Sequence, residues 1–193
     1  IRIEDSLSFE GAALTLAANG RVWAAADRDL RLAGAVTVDA EGFRMEDAGP
    51  LAKTGPEPLI IRTRREIRTQ DILAPDAALT LAATEDPFGL IEVRDVTAQS
   101  ADVAGYFIEA GRLRAGDVSL VADFGLTAGT LAPGTSLVAR GFTIGDEGAP
   151  VTLLPGAGLG RVEIDGTFLV NLLVEDGPIA FDLLRAGFDD AGL

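Results

Sequence analysis

The residues able to do chemistry are few in kind. The 193-residue chain contains no histidine and no cysteine, so the commonest general base, the thiolate nucleophile and the soft metal ligands are missing from the outset. Catalysis would have to rest on carboxylates, arginine, Tyr106, serine or threonine. Close carboxylates occur as Asp27 with Asp29, Asp146 with Glu147 and Asp189 with Asp190, and a carboxylate pair flanking a glycosidic bond can hydrolyse it. On so acidic a chain each pair reads more simply as solvated turn residues, and no catalytic residue is assigned. GDEGAP (145–150) offers hard oxygens of the kind calcium takes. Neither an EF-hand loop nor the glycine–aspartate nonapeptide repeat accompanies it, and no metal or cofactor is expected. LPGAGLG (154–160) has no lysine after its glycines, so it reads as a turn and not as a phosphate cradle.

Two groups of side chains could bind rather than react. In RTRREIRT (62–69), strand alternation would put Arg62, Arg64 and Arg68 on one side, as a docking stripe for an acidic glycan or protein. The preferred reading is an outward face that balances nearby Asp and Glu and discourages lateral sheet association. Trp23, Tyr106 and Phe107 have the flat rings that stack on sugars. Phe107 and Phe124, however, recur one repeat apart, which argues for a packed ladder. Composition narrows the partners further. Thirty acidic against 16 basic residues give a net charge of −14, which repels phosphate and argues against a nucleic-acid partner. No apolar run approaches about 18 residues, so no membrane span is expected. The opening IRIEDS lacks a basic and apolar leader pattern, so no signal peptide is expected there. Lys53 is the only lysine, a bias attributed to a GC-rich genome.

The elements that would position these residues come from a repeat. Ile67, Ile91, Ile108, Leu126 and Ile144 open successive units, at steps of 24, 17, 18 and 18 along the chain. TEDPFG (84–89) lengthens the first step. An alanine recurs inside the units at Ala74, Ala98, Ala115 and Ala132, followed by turn residues and then an alternating run such as ALTLAA or VSLVAD. Alternation is the strand signal, so each unit reads as strand, turn, strand, turn, with strands of roughly three to six residues. GAALTLAANG (11–20) and DAALTLAATE (76–85) nearly match. A unit this short cannot bury its own apolar face and must stack on its neighbours, with strands about 4.8 Å apart. The expected fold is an all-β, right-handed parallel β-helix of short strands, about 18–20 residues per coil, the hand following the general crossover preference. At that length the chain would make roughly nine coils. Residues 1–150 are expected to be solenoid repeats, and residues 151–193 an irregular continuation or capping segment. PIAFDLLRAGF (178–188) has spacing closer to helical and is expected to form a short helix.

These same words carry two resemblances. GDVSLVADFGLTAGTLAPG, RDLRLAGAVTVDAEG and the doubled ALTLAA resemble the repeat region of filamentous-haemagglutinin-type exoproteins, over roughly residues 7–144. The chain departs from that pattern in being poor in Asn and rich in Asp, Glu and Arg. The resemblance implies a non-enzymatic structural or display segment of a large exported bacterial protein. It would be secreted or held at the cell surface, act in adhesion to a host or bacterial surface glycan or protein, and be served by a secretion machinery. GRVEIDGTFLV (160–170) and AGRLRAGDVSLVAD are similar to AsmA- and TamB-type envelope proteins, which implies a periplasmic groove that conducts lipid. A carbohydrate-active enzyme on a β-helix is the third expectation.

Overall fold

The computed structural model describes residues 1–85 and 87–131, and beyond them six strands given below. Strands run throughout: β1 (Arg2–Ile3), β2 (Leu7–Phe9), β3 (Ala13–Ala17), β4 (Arg21–Ala24), β5 (Leu30–Ala33), β6 (Ala35–Met45), β7 (Leu51–Thr54), β8 (Leu59–Ala83), β9 (Leu90–Arg114) and β10 (Asp117–Leu131). They continue as β11 (Ser136–Arg140), β12 (Thr143–Ile144), β13 (Val151–Leu153), β14 (Val162–Asp165), β15 (Leu169–Val170) and β16 (Leu172–Val174). Every described pairing is parallel, and together the strands form one continuous sheet wound into a solenoid of about six turns. The expected helix at 178–188 lies outside the described residues. Among the described residues no helix is long and apolar enough to cross a membrane.

Each coil has three sides, and each side carries an inward column of aliphatic residues. On the first side Leu16, Val38 and Ile61 stand in register, as do Leu81, Val103 and Leu120, and the same register reaches positions 137 and 162. On the second side the column runs Val22, Phe43, Ile67, Ile91 and then Ile108 and Leu126, with Ile144 and Val170 in register beyond. On the third it runs Leu7, Leu30, Leu51, Ile72, Val96 and then Leu113, with Leu131, Leu153 and Val174 in register beyond. The joins fall where the chain winds back onto its own long strand. Thr84 N–H donates to Thr63 O (3.1 Å), and Phe107 N–H donates to Gly89 O (2.9 Å), which stacks Ile108 on Ile91. The repeat-opening residues therefore share one column, as their spacing requires. The near-identical ALTLAA words fall on the same side: Leu16 and Leu81 belong to one column. Ile67 and Ile91 are 0% exposed and Leu126 is 1% exposed. Full burial of such a side chain contributes about 1.5–3 kcal/mol.

The strands differ from expectation in length. β8 and β9 have 25 res each, because the chain turns most corners in extended conformation instead of stopping for a tight turn. The corners are register shifts, between Ala40 and Gly42, between Ala74 and Ala78, and between Ala122 and Gly125. An extra residue bends a strand without ending it. Pro75 sits within the second shift, where its missing N–H removes no ladder bond. The chain does leave the ladder after Glu85: a corner loop follows in which Phe88 N–H donates to Glu85 O (2.7 Å) and Phe88 is 62% exposed.

Candidate functional site

The second side presents its outward positions as a charged ladder, and this is the most organised polar surface among the described residues. Alternation along β4, β6, β8 and β9 turns Val22, Phe43, Ile67 and Ile91 inward. The neighbouring positions face out, and register stacks Trp23, Arg44, Arg68 and Glu92 in one outward column. The adjacent column runs Arg21, Gly42, Glu66.

Glu66 is the hub. Arg44 Nε and Nη2 donate to its two oxygens at 2.8 Å each, a fork-to-fork pair. Arg21 Nε lies 3.0 Å from Oε1, and Arg68 Nε lies 3.4 Å from Oε2. Arg21 and Glu66 belong to coils that are not adjacent; the intervening coil places Gly42 between them. A Cβ at Gly42 would stand 3.0 Å from Glu66 Cγ and 3.3 Å from Arg21 Cγ. The missing side chain is what lets one carboxylate be reached by arginines from three successive coils. Glu46 and Glu92 extend the network through Arg44 and Arg68, at 3.6, 3.6 and 3.2 Å. The hydrogen bonds from Arg44 hold the Glu66 carboxyl below the usual carboxylate range, against the opposing effect of its burial, and Arg21 and Arg68 add to the lowering. Arg44 is raised in turn, chiefly by its bond to Glu66.

A groove of about 300 Å³ opens beside this ladder. Arg21, Trp23, Ala24 and Ala26 line it from one coil, and Arg44, Glu46 and Asp47 from the next. Arg2 lies over the Trp23 ring, 4.5 Å from its centre. The corner after β4 holds Asp27 at φ 58°, a left-handed conformation that aspartate tolerates better than most residues. Its N–H donates to Asp47 O at 3.0 Å.

The residues singled out from sequence scatter over this frame. Asp27 and Asp29 are corner residues: Asp29 accepts from Arg31 at 3.5 Å, and its own N–H donates to Ser6 Oγ at 3.2 Å. Arg62, Arg64 and Arg68 do not share a side. The register shift opposite Ala40 and Gly42 turns the corner between Thr63 and Glu66, so Arg62 and Arg64 project from the first side and Arg68 joins the hub on the second. Tyr106, Phe107 and Phe124 pack together, with ring centres 4.8–5.1 Å apart, as the recurrence of Phe107 and Phe124 at coil spacing implies. Trp23 lies near the opposite end of the described solenoid from them. Asp146, Glu147, residues 145–150, residues 154–160, Asp189 and Asp190 lie outside the described residues. Among the described residues no three acidic side chains gather to hold a metal ion.

Two features escape sequence reading. One is the Glu66 hub, whose only signal is the recurrence of Arg44 and Arg68 at coil spacing. The other is Lys53, which points inward and is 1% exposed. It stands in register with Leu32. Its Nζ donates to Thr54 O (2.6 Å) and Gly55 O (3.1 Å) and lies 3.8 Å from a Glu57 oxygen. The ammonium thus ties down the corner loop after β7, where Gly55 adopts φ +84°. A buried ammonium needs such partners.

Comparison with protein families, with curated proteins and with solved structures finds no match to this chain.

Proposed function

We propose that this chain is a rigid, non-enzymatic display segment of an exported bacterial surface protein that acts in adhesion. The observation that carries the reading is the filled interior. The inward columns are buried through β6, β8 and β9, with Leu51, Val38, Ile61, Ile67, Ile72 and Ile91 at 0–2% exposure. A lipid conduit needs an uncovered apolar trough that an acyl chain can enter. Among the described residues the space such a chain would take is occupied by the protein's own buried side chains. A solenoid of this kind works mechanically: its parallel ladders hold corner loops, such as the one bearing Phe88, at fixed height and direction. The acidic surface keeps neighbouring rods apart.

Two measurements on the native source test the reading. Extracellular protease applied to intact cells is expected to degrade the chain, and lipid extraction of the purified protein is expected to yield no stoichiometric phospholipid or fatty acid. Protection until the outer envelope is broken, together with co-purifying acyl lipid, would replace display with periplasmic lipid conduction.

A further inference from the structure

We propose that the groove between Trp23 and Arg44 is a binding site for a neutral pyranose saccharide. Its shape, its rigidity and its charge each bear on the ligand. The shape comes from Ala24 and Ala26, small residues between long ones, which leave a recess of about 300 Å³ at the foot of the indole. That is the lower end of the range for small-molecule sites, suited to a ring-sized ligand. The wall opposite offers a guanidinium, Arg44, and two carboxylates, Glu46 and Asp47. A pyranose has an apolar CH face and a rim of hydroxyls. An aromatic ring beside fixed donors and acceptors matches both parts.

The rigidity comes from outside the groove. Arg44 is gripped by both oxygens of Glu66 at 2.8 Å, and Arg21 by the same carboxylate at 3.0 Å. Trp23 is held by Arg2 at 4.5 Å. These side chains are placed before any ligand arrives, which lowers the ordering cost of binding. The charge selects against ionised ligands. Arg21 and Arg44 balance Glu46 and Asp47 on the groove walls, so no net field favours an anion or a cation. The chain's overall charge of −14 opposes uronates and other anionic sugars. Binding would add a ligand to the display reading and rests on that reading only for where the saccharide is met. Binding to the purified protein is decided separately from surface exposure.

Trp23 is the only tryptophan, so its emission reports on this groove alone. The experiment titrates the full chain with glucose, galactose, mannose, N-acetylglucosamine and their common disaccharides, alongside glucuronate and galacturonate. At least one neutral sugar is expected to give a saturable change in emission with half-saturation on the order of 1 mM, the weak regime of a shallow site. The uronates are expected to need at least about tenfold more. Ala26 is exposed, so Ala26→Leu fills the recess at little risk to the fold. It is expected to abolish the response with an unchanged melting temperature, while Ala26→Ser retains it. Absence of a saturable response to every neutral sugar, an undiminished response in Ala26→Leu, or equal binding of uronates would each overturn the proposal.

Discussion

The early coils and the later coils solve the same packing problem with different corners. On the second side, Val22, Phe43, Ile67 and Ile91 follow one another at steps of 21, 24 and 24 along the chain, whereas Ile91, Ile108, Leu126 and Ile144 follow at 17, 18 and 18. The inward columns do not register the change, since strand spacing is set by backbone hydrogen bonds and stays near about 4.8 Å. The extra residues go into corners: the loop after β7 that Lys53 ties down, and the Glu85–Gly89 loop that ends on Phe88. The early coils also carry the Glu66 hub and the buried ammonium. The later coils turn on alanine, glycine and the Tyr106–Phe107–Phe124 cluster. The sides therefore hold the rod together, and the corners and outward columns are where coils acquire individual character.

If the sides carry the stability, the heaviest loss should come from a column residue far from any loop. Ile91→Ala removes a side chain packed between Ile67 and Ile108 in a site that cannot collapse, because the backbone on both sides is held by ladder bonds. The expected cost is about 2–5 kcal/mol, measured by denaturant unfolding. A loss smaller than that of corner substitutions would reverse the comparison. Next comes Lys53→Met. It keeps the volume but leaves Thr54 O and Gly55 O without their donor, at an expected cost of about 1–3 kcal/mol. Hydrogen exchange should localise the added mobility to the loop after β7, with the columns still protected.

How much of this can be read in advance follows the same division. The columns are legible, because an Ile or Leu that recurs once per coil has no other way to cover its apolar face. The aromatic cluster is legible for the same reason. The corners are not. A register shift needs one unpaired residue, and nothing in a local run such as Thr63-Arg64-Arg65 or Ala40-Glu41-Gly42 says whether the chain stops or bends. That is why simple alternation puts Arg62, Arg64 and Arg68 on one side when a corner divides them. Glu66 is hidden because its partners Arg44 and Arg21 lie one and two coils earlier in the chain. Lys53 is hidden because a lone lysine in an alternating run looks the same whether its column faces in or out. The groove beside Trp23 depends on both a corner and an inter-coil register, so sequence offers only the tryptophan.

The hub sharpens the comparison between sides and outward columns through pH. Folding lowers the Glu66 carboxyl below its ordinary value, so in acid the unfolded chain takes up a proton before the folded one does. The stabilisation from the hub is then fully present above the ordinary carboxylate value of about 4.3 and disappears as pH falls through the lower folded value. Glu66→Gln keeps the shape but loses the charge-assisted fork, with an expected cost of about 1–3 kcal/mol at neutral pH. The difference between native and variant should shrink as pH drops below about 4.3. Denaturant midpoints of both proteins from neutral pH downward check this. A gap that stays constant with pH would mean that the carboxylate's charge contributes nothing to the fold.

The smallest effect asks whether the hub spans three coils or only two. Gly42→Ala puts a methyl group 3.0 Å from Glu66 Cγ and 3.3 Å from Arg21 Cγ. The Arg44 fork approaches from the neighbouring column and should survive, while the reach from Arg21 across the intervening coil should not. Alanine also relieves the entropic cost of glycine in a strand, a gain of about 0.5–1 kcal/mol. The net change in stability is therefore expected to stay within about 1 kcal/mol of zero. The informative quantity is the coupling between Arg21 and Glu66 in a double-mutant cycle. With Gly42 in place it should be measurable; in the Gly42→Ala background it should fall to nothing. Persistence of the coupling in that background would show that the two side chains meet around the coil between them, and that the gap at Gly42 is incidental to the hub.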